Sequence, residues 1–327
     1  MYLVTGGAGF IGSNIVAALA ARGDEVVVCD WLRNDDRWRN LAKHELAEIV
    51  APEALPDWLD EQGEGLAAVI HMGAISATTE TDVDLIVENN VRATLALVSW
   101  CTLRSVRFIY ASSAATYGDG SAGFDDDFSR AALGGLRPLN AYGWSKHVVD
   151  RRLARLLAQG RALPPQWVGL KFFNVYGPNE YHKGEMRSVI ARNYSVVRAG
   201  QAMRLFRSYR PDYADGGQLR DFVYVRDCAE VVLWLLAHPE VSGLFNLGTG
   251  NARSWLDLAR ALFAATGRDG AIEFIDMPAE LVAKYQYFTE ARMDRLIAAG
   301  YSRPFTSLED GVLDYVRHYL DTNDPYR

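Results

Sequence analysis

Apolar runs end at Thr5, Asp30, His71 and Ala111, and between them apolar residues recur at helical spacing over 10–22, 83–103 and 141–159. A strand covered on both faces reads as a continuous apolar run, whereas a surface helix shows apolar positions three and four apart. The alternation predicts an α/β chain built on a Rossmann-type doubly wound parallel sheet with helices on both faces. Its first strands are expected at 2–5 and 25–29, and the run before Ser112 at 107–111. Another strand is expected over 166–173, after which the pattern gives way to a polar, loop-rich stretch reaching Gln218. Strand and helix patterns return at 221–225 and 228–237, followed by Phe245-Asn246-Leu247-Gly248-Thr249-Gly250. Two units follow: a larger one from 1–173 plus roughly 221–250, and a smaller C-terminal α/β one from roughly 174–220 plus 251–327.

Behind the first strand stands Thr5-Gly6-Gly7-Ala8-Gly9-Phe10-Ile11-Gly12. Gly6 permits a tight turn, Gly9 removes a Cβ where phosphates approach, and Gly12 lets the next helix pack on the sheet. That helix aims its N-terminal N–H groups at the phosphates, so the larger unit reads as dinucleotide-binding. Asp30, ending the second strand, is placed to hold ribose hydroxyls.

Composition narrows the partners. The chain has 327 residues, 49% of them apolar, enough for a large core, and 34 basic against 41 acidic residues give a net charge of −7. No basic block suits a nucleic-acid backbone, and no apolar run reaches the 18 or so residues of a membrane span. Cys29, Cys101 and Cys228 sit in apolar contexts without metal-ligand spacing, so reduced buried thiols, no metal and a cytoplasmic location are expected. With the first strand expected from residue 2, no signal peptide is expected.

Tyr142-Gly143-Trp144-Ser145-Lys146 puts a phenol and an ammonium one helical turn apart. A tyrosine is a weak base near its ordinary pKa of about 10, and an adjacent lysine charge favours the phenolate. Ser112 and Ser113 follow a strand and so lie at the carboxyl edge of the sheet, where doubly wound folds bind ligands.

These blocks, together with Asn89-Asn90, Asn174-Val175-Tyr176-Gly177-Pro178 and Arg220-Asp221-Phe222-Val223-Tyr224-Val225, resemble the extended short-chain dehydrogenase/reductase family, in which Ser, Tyr and Lys carry hydride transfer on nucleotide sugars. The resemblance spans nearly the whole chain. Ser113-Ala114-Ala115 stands where the dehydratases carry Thr-Asp-Glu, and no cysteine stands in the catalytic region, so oxidation followed by reduction remains. Asn179-Glu180-Tyr181-His182-Lys183-Gly184-Glu185-Met186, Gly73-Ala74-Ile75-Ser76 and Lys284-Tyr285-Gln286-Tyr287-Phe288-Thr289 resemble the branch that epimerises an ADP-linked heptose at C6 for lipopolysaccharide inner-core synthesis.

That resemblance implies Tyr142 and Lys183 as acid/base groups on opposite sides of the substrate. Lys146 then orients the nicotinamide ribose and lowers the Tyr142 pKa, while Ser113 bonds the reacting oxygen. Lys183 reads alternatively as a solvated loop lysine or a diphosphate clamp. The cofactor positions implied are Gly6, Gly9, Phe10, Ile11, Gly12, Asp30, Trp31, Arg37, Met72, Gly73, Ala74, Ile75, Ser76, Asn89, Tyr142, Lys146 and Val175. Met72 departs from the usual glutamate and Trp31 from the usual asparagine. Arg33, Arg37 and Arg39 could grip a 2′-phosphate, which favours NADP and leaves NAD open. For substrate, the implied residues are Ser113, Asn174, Lys183, Glu185, Arg192, Phe206, Arg207, Ser208, Tyr209, Arg220 and Tyr285, with Arg220 the strongest candidate for phosphate. His182 reads as a polar loop residue. A homo-oligomer, a pentamer, is implied, and Trp31, Trp38 and Trp58 read as subunit contacts, core or cofactor stacking.

Overall fold

The computed structural model describes residues 1–282 and 285–327, so Lys284 of the motif above lies outside the described residues. Seven strands make one parallel sheet. Six of them are β1 (Tyr2–Thr5), β2 (Val26–Cys29), β3 (Glu48–Val50), β4 (Ala68–His71), β5 (Arg107–Ser113) and β6 (Trp167–Phe172). With the seventh, Gly243–Leu247, the order across the sheet is β3-β2-β1-β4-β5-β6 and then that strand, all parallel. The order reverses between β1 and β4, which opens a crevice at their carboxyl ends.

Apolar continuity explains the central strands. β2 is Val-Val-Val-Cys, and β1, β2 and β4 carry fully buried positions such as Leu3, Val28 and Ile70. Each buried aliphatic side chain contributes about 1.5–3 kcal/mol. Helix α1 (Phe10–Ala21) packs Ile15, Val16 and Leu19 against one face, together with Cys228, Val231 and Leu235 of the helix Val225–Ala237. The other face holds Val69, Phe108 and Leu153, and also Trp58, which is 6% exposed and donates to Glu48 Oε2 at 2.8 Å. Trp58 is therefore a core residue. Cys29, Cys101 and Cys228 are free and buried, and burial pushes the Cys29 and Cys101 thiols up to about 12.

Four expectations change. The run at 107–111 continues through Ser112 and Ser113, which pair with Lys171 and Phe172 of β6. β3 and the helix Leu55–Gln62 went unseen, because a three-residue edge strand with two exposed positions has no apolar run. The polar stretch up to Gln218 contains the helix Val189–Arg198 and the strand Met203–Phe206, which pairs in parallel with Ile272–Ile275. Ser188 caps that helix by accepting from the Ala191 N–H at 3.2 Å. Finally, the expected helix over 83–103 is helical throughout but widens to a π-turn at Val87–Arg92, the turn that carries Asn89 and Asn90. Ile190, Val197, Leu205, Tyr224, Leu258 and Val312 form a separate apolar cluster beside the crevice.

Candidate functional site

The glycine turn is built as its spacing requires. Gly6 has φ +65°, and a Cβ there would stand 2.5 Å from the Gly73 nitrogen, so β1 and the segment after β4 touch backbone to backbone. A Cβ on Gly12 would strike the Gly6 carbonyl. Gly9 begins α1 without a side-chain cap, leaving the first-turn N–H groups to meet an anion. Asp30 accepts from the Ala8 N–H at 2.9 Å, and burial raises its pKa. Beside it, Asp30, Trp31, Leu32, Arg33, Asn34 and Ala51 line a cavity of about 620 Å³. A tight turn, an uncapped helix start and an acid beside an open cavity fit a dinucleotide.

Arg33 and Arg37 divide. Arg33 lines the cavity and lies over the Trp31 ring at 5.7 Å. Arg37 is engaged in a two-pronged pair with Asp35 at 2.7 and 2.8 Å. Trp31 itself donates to Glu53 at 2.6 Å.

On the β4–β5 side, the helix Ala141–Ala158 starts at Asn140, whose side chain accepts from Gly143 N–H at 2.8 Å. This sets Tyr142 near the end of β5, where the neighbouring Ser113 side chain acts to lower the phenol's pKa. Burial raises the Tyr142 pKa and Ser113 opposes the rise. Lys146 lies one helical turn beyond Tyr142, beside His71 and Asp150. Lys146 is 3% exposed, and burial pushes it down to about 8 while Asp150 pulls it up. Asp150 is fully buried and accepts from Tyr110 at 2.9 Å and Ser112 at 2.8 Å, with Lys171 Nζ at 4.0 Å. So Ser112 braces the interior, and Ser113 faces the phenol.

Lys183 occupies the other side of the crevice. Its Nζ lies over the Phe10 ring, 5.1 Å from the centroid, at the start of α1. Burial lowers its pKa and the Glu180 carboxylate opposes this. Glu180, fully buried, fixes the turn by accepting from the Ser188 N–H and hydroxyl and from Tyr315 at 3.1 Å. Bonds to a charged acceptor contribute about 1.5–3 kcal/mol each, which offsets the burial of the carboxylate. His182, expected in a loop, lies in the 3₁₀ helix Tyr181–Met186, 3.4 Å from Asn40 Nδ2, and is pushed down to about 4 by burial.

Farther along, Arg220 is 7% exposed, and burial lowers its pKa. Its guanidinium donates to Leu219 O and Gln286 O and lies 5.1 Å from the Tyr285 ring and 5.8 Å from Trp255. Among the described residues no carboxylate lies within ion-pair distance of it. Phe206 meets Tyr285 edge-on at 6.3 Å. Arg192 pairs with the exposed Glu185 at 3.8 Å and Arg207 with Asp276 at 3.3 Å. Ser208 accepts from Arg210 N–H, Tyr209 is exposed, and the Asn174 N–H is bound to Asp221 O at 3.0 Å. Val175 lies beside it, in a short strand paired with Phe222–Tyr224.

Asn89 and Asn90 differ in what they hold. Asn89 bonds back to Leu85 O within its own helix. Asn90 is fully buried and grips the Ile75 backbone at both N–H (2.8 Å) and C=O (2.9 Å), fixing the segment Met72, Gly73, Ala74, Ile75 and Ser76. The sequence reading also missed His71, which joins Thr5 at 2.6 Å to Thr94 at 2.9 Å and is held neutral by burial, pushed down to about 3. No local pattern announces that bridge.

A model of the NAD dependent epimerase/dehydratase family matches residues 2–248. The chain is 52% identical, over all of both chains, to a protein of Nitratidesulfovibrio vulgaris strain DP4 named ADP-L-glycero-D-manno-heptose-6-epimerase. The Helicobacter pylori protein of the same name superposes with a TM-score of 0.78 at 27% identity, covering 97% of this chain and 95% of that one. UDP-glucose 4-epimerase of Thermus thermophilus, solved with NAD, gives 0.74 at 27% identity, covering 97% and 98%.

Proposed function

Because this chain belongs to the NAD dependent epimerase/dehydratase family, and so acts on a sugar nucleotide with a nicotinamide dinucleotide, we propose that it interconverts ADP-D-glycero-β-D-manno-heptose and ADP-L-glycero-β-D-manno-heptose at C6. The observation that carries this reading is the presence of two proton-handling side chains on opposite sides of the crevice. Tyr142 is set against the β5 end and Lys183 against the start of α1. The C6 hydroxyl occupies a different position in each epimer, so each position needs its own acid/base group. Burial favours the neutral phenol of Tyr142 and the neutral amine of Lys183, a donor on one side and an acceptor on the other.

Ser113 donates to the reacting oxygen, and Lys146 supplies positive charge that favours the phenolate when Tyr142 gives up its proton. The bound nicotinamide supplies a reversible hydride acceptor. Asp30 and the cavity beside it hold the adenosine ribose, and Gly6, Gly9 and the first turn of α1 hold the pyrophosphate. Arg33, which lines that cavity, favours NADP over NAD. Arg220, buried against Tyr285 and Trp255, receives a phosphate of the ADP moiety. Residues 1–173 and 221–250 form the dinucleotide unit and the remainder the substrate unit, in a cytoplasmic homo-oligomer.

The test is to incubate the purified protein with ADP-D-glycero-β-D-manno-heptose, without added cofactor, and follow the C6 configuration by NMR. A mixture of epimers supports the assignment together with retained cofactor. Failure to convert even with NADP or NAD added sinks it and directs attention to UDP-hexoses, the second reading, which the Thermus thermophilus likeness favours. Mass spectrometry of the nucleotide released on denaturation separates NADP from NAD.

A further inference from the structure

Residues 324–327 lie far in sequence from everything the site uses, yet each touches one of three segments that border the crevice. Asp324 pairs with Lys43 at 2.9 Å, in the loop that follows the ribose cavity. Pro325 O accepts from the Tyr181 hydroxyl at 2.8 Å, two residues before Lys183. Tyr326 meets the Tyr181 ring edge-on at 5.3 Å, while Arg39 lies over its other side at 5.8 Å and Lys43 donates to its carbonyl. The Arg327 N–H donates to Asn179 Oδ1 at 2.9 Å, and its guanidinium reaches Asn14 O and Oδ1 at 3.2 and 3.1 Å in α1.

Those contacts close a ring. Asn14 donates to Pro178 O at 2.9 Å, and Asn179, held at φ +73°, donates to Ser13 Oγ at 3.0 Å. The left-handed conformation at a non-glycine residue is unfavourable alone and persists where its surroundings hold it. Asn179 is fully buried and bonded on both ends of its amide, once to α1 and once to Arg327. The turn carrying Lys183 is thus docked on the nucleotide-binding helix from one side by Asn14 and Asn179 and from the other by 325–327.

We infer that Tyr326 and Arg327 are positioning residues that clamp the Lys183 turn to the start of α1 and so set where the Lys183 amine stands. The consequence for turnover rests on the acid/base reading of Lys183; the clamp itself does not. Nothing in 324–327 touches Lys183 directly, so the clamp acts through Asn179 and Tyr181. Its loss lets the turn swing away from α1 while leaving Ser113, Tyr142 and Lys146, which hang from β5 and the helix Ala141–Ala158, in place.

The experiment compares the full chain with Arg327→Ala, Arg327→Lys and Tyr181→Phe, the last removing only the hydroxyl that reaches Pro325 O. Brief acetylation by acetic anhydride, read by mass spectrometry, reports the accessibility of Lys183, with buried Lys146 as internal control. Acetylation of Lys183 is expected to rise about fivefold in Tyr181→Phe, the population shift set by losing one neutral hydrogen bond, and at least as much in Arg327→Ala, which loses the charged bonds to Asn14. Lys146 should stay unchanged, and Arg327→Lys should restore protection. On the ADP-heptose substrate kcat is expected to fall by up to about 100-fold with little change in KM, as misplacement by an ångström does. Unchanged Lys183 acetylation in folded variants overturns the clamp. Raised acetylation with unchanged kcat upholds the clamp and removes Lys183 from the chemistry. Should Arg327→Ala fail to fold, Tyr181→Phe decides.

Discussion

The Asn90 amide donates to the Ser145 hydroxyl at 3.0 Å, joining the π-turn beside β4 to the helix that carries Tyr142 and Lys146. The same side chain holds the Ile75 N–H and C=O, so one residue ties the segment after β4 to the helix Ala141–Ala158. Asn90→Ala leaves the half-buried Ile75 N–H and C=O and the buried Ser145 hydroxyl each short of a bond, at about 1–3 kcal/mol for a partner that water does not reach. We expect a lower Tm and cofactor retention reduced about tenfold or more, measured by gel filtration followed by absorbance of the released nucleotide. Asn89→Ala, whose amide only bonds back to Leu85 O, should lose less stability.

Tyr142→Phe keeps the ring and removes the hydroxyl that lies near Ser113. Removing a positioned proton donor costs about 10²–10⁴-fold in rate. Turnover of the ADP-heptose should drop within that range while the melting curve stays near that of the parent. Parent-like turnover would take Tyr142 out of the reaction.

The parts of the site that were legible in the sequence are those where backbone chemistry dictates residue type. Gly6 needs positive φ and no Cβ against Gly73, and that demand is written locally as a glycine after a strand. Tyr142 and Lys146 share a helix, so their spacing could be read directly. The Val189–Arg198 helix is short and sits inside a polar stretch, with only Ile190 and Val197 fully buried and Val189, Ala191 and Tyr194 partly so, which made it hard to separate from loop. The choice between Asn89 and Asn90 depends on which one a π-turn directs at Ile75, and no pattern of period 3.6 predicts that. The contacts of Arg327 with Asn14 and Asn179 join residues more than a hundred positions apart, beyond any periodicity.

Arg220 is a buried cation whose partners among the described residues are carbonyl oxygens and aromatic rings, which is compatible with the proposed phosphate contact. Lysine keeps the charge but loses the planar fork and the stacking on Tyr285. Arg220→Lys should therefore raise KM for the ADP-sugar, by about tenfold if one charge-assisted bond of about 1.5 kcal/mol is lost. A kcat effect without a KM effect contradicts the phosphate role. Steady-state kinetics against ADP as a competing ligand reads both.

The proposed role of Lys146 predicts a pH dependence. Burial brings its folded pKa to about 8, below the ordinary lysine value of 10.5, and Asp150 acts in the opposite direction. Between these two values the unfolded chain binds the proton that the folded chain has lost, so this group's contribution to stability rises as pH rises across that window. The cost of holding the buried ammonium is fully present below about 8. Activity runs the other way, because the charge that favours the Tyr142 phenolate exists only while Lys146 is protonated. The alkaline limb of kcat should therefore fall near pH 8. Asp150→Asn removes the charge that pulls Lys146 up, so the limb should move to lower pH, and the pH–rate profile of that variant is the measurement. A limb that stays put, or moves upward, shows that Lys146 does not set it.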